Sequence, residues 1–439
     1  MSNINPQRQP ITSPITVPRA EHSVSRTNIS DNALKVLYRL KDAGFMAFLV
    51  GGSVRDLLLG HVPKDFDVAT DAHPEQVRDL FRNSRLIGRR FRLVHVRYGR
   101  EVIEVATFRA SPDTDIAADA DRTLDESGRI LRDNVYGTIE EDAWRRDFTV
   151  NALYYDIRDF SVWDYVGGLD DLNHRVLRLI GDPVTRYRED PVRMLRAARF
   201  ATKHDFTIEA TNAEALAGSA PLLGDVPPAR LFDEVLKLFM GGYALKNFRM
   251  LRRFGLFAQL FPWTEELLAG DEATLGFIER ALTNTDRRIE AGQPVTPAFL
   301  FAALLWAPVR TFAAWREADG VHPTQALRQA AMDISAQQQA RIALPRRFKQ
   351  PMTEIFEMQA RFGHRRGKRP GRLLDHPRFR AAYDFLLLRA EAGEVEQELA
   401  DWWTAFQAEQ GANEEEAQPN RRRRRRRRRR AQNSGEEEE

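Results

Sequence analysis

The 439-residue sequence contains no cysteine, which removes disulfide frameworks, cysteine nucleophiles and thiolate metal sites from consideration. It has no apolar run approaching the roughly 20 residues of a membrane-spanning helix. Its polar, proline-containing N-terminus also lacks the apolar core of a signal peptide. Together these absences point to a cytoplasmic protein with no membrane span. No internal repeat of fixed period occurs. Net charge is scarce too: the formal total is +3, and the last 26 residues, with ten consecutive arginines (Arg421 to Arg430) against seven glutamates, account for all of it. Residues 1 to 413 are neutral overall, so a basic surface on the folded part must come from local clustering. What is abundant is core-forming material. With 43% hydrophobic and 29% charged positions over 50.4 kDa, the composition excludes a mostly disordered chain and suits two to four domains.

Residues 1–28 are polar, carry Pro6, Pro10, Pro14 and Pro18, and show no apolar period, so they read as a disordered arm. From Ser30 a helical spacing of Ala33, Val36, Leu37 and Leu40 predicts the first helix, ended by Gly44. The pattern then predicts a strand over Phe45–Val50, a short helix to Gly60, and a strand at Phe66–Ala69. A helix over Pro74–Phe81 follows, with two strands, Arg92–Tyr98 and Val102–Phe108, joined at Gly99. Ser111–Gly128, rich in Asp and Ala, reads as a mobile loop, and Asp147–Asp156 completes a mixed α/β head over 29–165. Beyond Asp182 strand signals stop. Amphipathic helices then predict an all-α neck (166–260) and body (261–410), followed by a disordered Glu/Arg-rich tail (411–439). The expected class is α+β.

The sharpest local signal is Gly51-Gly52-Ser53-Val54-Arg55-Asp56, followed closely by Lys64-Asp65-Phe66-Asp67-Val68. Two glycines between a strand and a helix let a phosphate approach the backbone, and the helix start presents free N–H groups to it. Arg55 lies in the first turn and adds a charge-assisted donor. Asp65 and Asp67, at i and i+2 of the expected strand, point to one face, and two carboxylates beside a phosphate site suit Mg²⁺. Either element alone is a common turn or a solvated acidic pair; their order and spacing give the signal its specificity.

This segment resembles the signature of the nucleotidyltransferase superfamily with a DNA polymerase β-like palm, in its class II branch of tRNA CCA-adding enzymes and bacterial poly(A) polymerases. The resemblance is dense over about residues 29–260 and looser to about 390. It implies that Arg145-Arg146-Asp147 contacts the ribose and triphosphate of an incoming nucleotide. It also implies that the helix opening Glu189-Asp190-Pro191-Val192-Arg193 reads the base, with Asp190, Arg193 and Arg196 on one face. An aspartate accepting from an exocyclic amine and an arginine donating to a ring nitrogen select A and C over G and U, which does not separate the two activities. A third carboxylate is expected beside Asp65 and Asp67. Glu104, an acid in an apolar strand where a buried charge is costly, and Asp147 both compete for that place. Ser53 is expected to add a hydroxyl near the phosphates.

Leu86-Ile87-Gly88-Arg89-Arg90-Phe91, leading into a strand that carries His95, is similar to the element marking poly(A) polymerases within this branch. The family resemblance therefore implies template-independent addition of AMP from ATP to RNA 3′ ends with two Mg²⁺ ions, the tails promoting RNA decay and engaging RNA-decay proteins. A tRNA CCA-adding enzyme is the enzymatic alternative, and a non-catalytic RNA-binding scaffold is the alternative from another class. Arg230, Glu234 and Lys237 recur at helical spacing as either a neck element or an ion-pair ladder. Arg346, Arg347, Arg361, Arg365, Arg366 and Lys368 lie in stretches that interleave cations with Phe348 and Phe362, a composition suited to single-stranded RNA.

Overall fold

The computed structural model describes residues 13–88, 92–110, 122–124 and 130–410. The chain divides into two compact units, one of residues 1–226 with 249–259 and one of 227–248 with 260–439. The Arg89-Arg90-Phe91 triplet, most of the acidic loop and the arginine tail lie outside the described residues.

The first unit is built on an eight-stranded mixed sheet. In chain order its strands are β1 (Ile15–Val17), β2 (Ala47–Val50), β3 (Asp67–Thr70), β4 (Ser84–Ile87), β5 (Leu93–Tyr98) and β6 (Glu101–Thr107), then β9 (Leu153–Asp156) and β10 (Val162–Asp164). A separate hairpin pairs β7 (Arg122–Leu124) with β8 (Ile130–Asp133). The sheet order is β1-β10-β9-β2-β3-β6-β5-β4, with only the β3–β6 pair parallel. Two of its inner strands, β2 and β9, are buried at every position, so neither shows a one-sided alternation. Strand β6 instead alternates, with Ile103 and Val105 inward and Glu104 outward. The first helix, α1 (Asp31–Asp42), is capped by the Ser30 hydroxyl accepting from the Ala33 N–H, and it packs against β2, β3 and β6 through Val36, Leu37 and Leu40.

Four expectations change here. The arm expected through residue 28 is ordered in its second half, because Ile15–Val17 pairs antiparallel with β10. Three residues hydrogen-bonded at a sheet edge need no apolar period, so the pattern carried no sign of them. Arg122–Leu124 is a hairpin strand within the expected loop. Strand β4, outside the expected set, pairs with β5 over four residues. Strand pairing also continues past Asp182, where Thr207–Ile208 runs parallel to Val176–Leu177.

The second unit is helical. Its helix Pro297–Ala318, 22 residues long, is long and apolar enough by length and composition to cross a membrane, contrary to the expectation that no such run exists. It is the unit's core helix: Leu300 to Val309 are buried, and it packs against helices Pro323–Gln339 and Arg346–Arg361. A second cluster gathers Met358, Phe362, Phe379, Tyr383 and Trp403.

Candidate active site

Two acidic side chains, Asp67 and Glu104, face each other where β3 begins, and Asp65 lies just before it. The β3–β6 register sets Asp67 opposite Glu104, and the β5–β6 register sets Glu104 opposite His95. Directly opposed residues share a face, so Asp67, Glu104 and His95 form a row across three strands. His95 Nε2 lies 3.0 Å from a Glu104 carboxylate oxygen. Asp65 is exposed and precedes the strand, so only Asp67 of the pair lies within it, a departure from the expected i, i+2 placement. Burial pushes the Asp67 carboxyl up to about 6; Glu104 and Asp65 act in the same direction and Arg146 opposes them. Glu104 itself is exposed rather than buried, which corrects the argument that singled it out: alternation puts its neighbours in the core and leaves it on the open face.

The glycine turn joins β2 to helix α2 (Gly52–Leu58). Gly51 adopts φ +73°, ψ −133°, a conformation open to glycine and strained for other residues. A Cβ there would stand 3.6 Å from Arg146 Nη1, so that guanidinium faces the turn. Arg55 points inward instead. It is 3% exposed, donates twice to Asp56 (2.6 and 2.9 Å) and once to Asn151, and lies over the Phe200 ring. The Ser53 hydroxyl is likewise buried and donates to the Val50 carbonyl. Both side chains are engaged within the turn rather than turned outward, and the buried Gly51 N–H donates to the Leu153 carbonyl at 3.3 Å.

Arg146 follows helix α4 (Ile139–Arg145), whose N-terminus Thr138 and Glu141 hold with a capping box. Its guanidinium is clamped by buried Asp142 (2.9 Å) and by the Tyr154 hydroxyl (2.9 Å), and Tyr154 donates to Asp142 at 2.7 Å. Sequence pattern missed this clamp because Asp142 looks like one of three acids at a helix start. Its only outward signal is the i, i+4 spacing to Arg146. Asp147 is held differently. Burial would raise its carboxyl, but Arg196 and donors from Phe148 and Asn151 outweigh that and bring it down to about 2. Arg196 Nε donates to it at 2.7 Å. The structure thus groups Asp65, Asp67 and Glu104, and groups Asp147 with Arg196 and Asn151.

Two helices supply the rest, α6 (Pro183–Glu189) and α7 (Val192–His204), with α5 (Gly168–Asn173) preceding them. Buried Arg186, another residue that pattern alone did not mark, donates to the carbonyls of Arg145 and Arg146 at 2.6 Å each and to Glu189. It fixes the Arg146–Asp147 backbone to α6. Arg193 pairs with the same Glu189 oxygen at 2.7 Å, and an Asp190 oxygen accepts from the Val192 N–H. Asp190 precedes α7, and Arg193 and Arg196 follow within it three residues apart, Arg193 turned to Glu189 and Arg196 to Asp147.

In the second unit, Arg346, Arg347, Arg365, Arg366 and Lys368 are exposed and Arg361 is half-buried. Arg365 pairs with Glu398. Phe362 is fully buried in the core and Phe348 lies against Phe232, so Phe362 offers no stacking surface. Glu234 is buried and accepts from Lys237 at 2.8 Å, which favours the ion-pair reading of that helix.

A mixed sheet carrying acidic residues beside a glycine turn and followed by helices defines a nucleotidyltransferase fold, and the solved structures agree. The crystal structure of the Bacillus stearothermophilus CCA-adding enzyme in complex with CTP matches at 26% identity and TM-score 0.57, covering 85% of this chain and 82% of that one. The Thermotoga maritima CCA-adding enzyme complexed with tRNA matches in fold at 20% identity and TM-score 0.58, over 90% and 85%. Family models narrow this. The poly A polymerase head domain matches residues 47–178, the probable RNA- and SrmB-binding site of polymerase A 205–268, and the polymerase A arginine-rich C-terminus 319–434. Poly(A) polymerase I of Escherichia coli O6:H1 is 50% identical over 397 residues, 89% of this chain and 85% of its own. That of Haemophilus influenzae is 46% identical over 402, 90% and 89%. The CCA-adding enzyme of Lactobacillus helveticus is 37% identical over 218 residues, half of each chain. The chain belongs to the poly(A) polymerase family.

Proposed function

We propose that the protein transfers AMP from ATP to the 3′-hydroxyl of RNA without a template, releasing pyrophosphate. The observation that carries this choice over CCA addition is the extent of similarity: Poly(A) polymerase I relatives match along nearly the whole chain, whereas the CCA-adding relative matches half of it. The expected division of labour remains our reading: a nucleotide-handling head over 29–165, a base-reading neck over 166–260 and an RNA-holding body over 261–410.

The carboxylates fit hard divalent cations. Burial raises the Asp67 carboxyl and the neighbouring acids add to it, and oxygen-bound Mg²⁺ is the natural relief. Asp65 and Asp67, with Glu104 opposite Asp67 on β6, would hold two such ions. When bound, Mg²⁺ activates the attacking hydroxyl and stabilises the leaving pyrophosphate. The protein's own groups do the positioning. The Gly51–Gly52 backbone and Arg146 receive the triphosphate, with Arg55 and Ser53 shaping the turn. Asp147 orients toward the ribose, and Asp190 with Arg193 presents the acceptor and donor that adenine requires. Arg346, Arg347, Arg361, Arg365, Arg366 and Lys368 would track the RNA backbone. Tails made in this way would direct RNA to exonucleolytic decay and bring RNA-decay proteins to it in the cytoplasm.

Incubation with oligoadenylate or with tRNA lacking its terminal adenosine, supplied with ATP or CTP, tests the assignment. Long A tails from ATP with no use of CTP are expected. Incorporation of CTP with a stop after CCA would refute it.

A further inference from the structure

On the other side of Arg55 from the glycine turn, two helices end together. Helix α2 closes at Gly60 (φ +75°), and the His61 N–H donates back to the Asp56 carbonyl at 2.8 Å, which folds His61 over Asp56. Helix α7 ends at His204, followed by Asp205 in the left-handed region. Among the described residues, Asp56, His61 and His204 are the one trio of ligand-type side chains whose donor atoms all lie within 4.8 Å of one another. The His61 and His204 rings stack with centroids 6.2 Å apart. His204 Nε2 is 3.8 Å from an Asp56 oxygen, its side chain is 1% exposed, and neither ring nitrogen has a hydrogen-bond partner. An imidazole buried this deeply normally has at least one nitrogen satisfied, so this one is short of a partner on the side facing Asp56 and His61.

We propose that Asp56, His61 and His204 form a binding site for a borderline transition-metal ion of the Zn²⁺ type, separate from the acidic residues at the start of β3. Two imidazoles and a carboxylate suit Zn²⁺ and disfavour Mg²⁺, which takes oxygen ligands. Arg55, Lys203 and Arg175 stand nearby, and Arg175 donates to the His204 carbonyl at 3.4 Å. Arg55 donates twice to the Asp56 oxygen nearest His204, so an ion there shares or displaces that bond, and it leaves the second oxygen. Near that second oxygen stands Lys203 Nζ, 3.9 Å away on a side chain 35% exposed, which can turn to water as an ion enters. The C-terminal ends of α2 and α7 add partial negative charge at this point. His61, exposed at the rim, is the door ligand, and His204 the buried one. The site communicates with the nucleotide side through few bonds: Arg55 joins Asp56 to Asn151, and Asn151 donates to Asp147 at 3.3 Å. An ion drawing on Asp56 competes with Arg55 and loosens that link.

The test is equilibrium dialysis of the full chain against Zn²⁺ in excess Mg²⁺, with Co²⁺ substitution followed by its visible absorption. Wild type and Asp67→Ala are each expected to retain one Zn²⁺ and to give the Co²⁺ bands of a nitrogen–oxygen site. His61→Ala removes an exposed ligand without touching the core and should weaken binding at least roughly tenfold. His204→Gln should do the same where it folds. Zn²⁺ binding in His61→Ala equal to wild type would overturn the proposal. So would loss of the ion in Asp67→Ala, which would place it at the β3 acids instead.

Discussion

Replacing Asp67 by asparagine tests the electrostatic state of the acidic row directly. The Asp67 carboxyl stands at about 6 in the fold against an ordinary value of 3.8, and each unit corresponds to about 1.4 kcal/mol. The difference amounts to roughly 3 kcal/mol, an upper value because water reaches part of the side chain. Because the folded value is raised, folding favours the protonated form. Stability therefore falls as pH climbs from 3.8 through about 6, and the full cost stands above that window. Asp67→Asn removes the charge, so in metal-free buffer it should be more stable than wild type by about 2–3 kcal/mol at pH 8. The gap should shrink toward zero near pH 4. Urea denaturation in the presence of a chelator, repeated at pH 4, 6 and 8, reads this. Adding Mg²⁺ should then stabilise wild type and leave the variant nearly unchanged, while the variant loses AMP incorporation and keeps RNA binding. A variant no more stable than wild type at pH 8, or a gap independent of pH, would refute the account of Asp67 as a charge kept for metal binding.

Three further outcomes are expected. Arg196→Ala leaves the buried Asp147 carboxylate without its main cation; breaking such a pair costs about 3–5 kcal/mol, here toward the lower end because the Arg196 side chain is 34% exposed. Chemical denaturation, with the KM for ATP rising in parallel, checks this. Tyr154→Phe removes the hydroxyl that bonds both Asp142 and Arg146 and should cost about 1 kcal/mol in stability. In single-nucleotide addition assays it should raise the KM for ATP more than it lowers kcat, and an unchanged KM would argue against Arg146 as a triphosphate contact. Deleting residues 411–439 removes ten consecutive arginines and should flatten the dependence of RNA affinity on salt. Turnover at saturating RNA should survive, and its loss would assign the tail a part in the chemistry.

What the sequence disclosed and what it withheld divide along a physical line. Periodicity and turn chemistry located α1, the strand–glycine–helix unit and the β5–β6 pair within a few residues, because those elements bury one face and local spacing records that. Strand β1 escaped notice because three residues at a sheet edge are defined by their partner β10, which lies far along the chain. The acids and arginines were recognisable as a set, but their partners were not. Glu104 drew attention as a buried acid and proved exposed, and Arg55 was expected to face phosphate and proved to face Asp56 and Asn151. In each case the error lies in direction rather than identity. Linear spacing assigns a side chain to a face, while its hydrogen-bond partner is set by the fold, at the next residue for Arg55 and Asp56 as well as across 96 positions for Arg55 and Asn151. The same reasoning explains why Tyr154 and Arg186 carried no sequence signal and Asp142 only its i, i+4 spacing to Arg146. Their role is to hold Arg146 and its backbone at the glycine turn, and that role exists only once α4, β9 and α6 have met. A motif can therefore name the groups that meet ATP, and the fold decides which of them are free to do so.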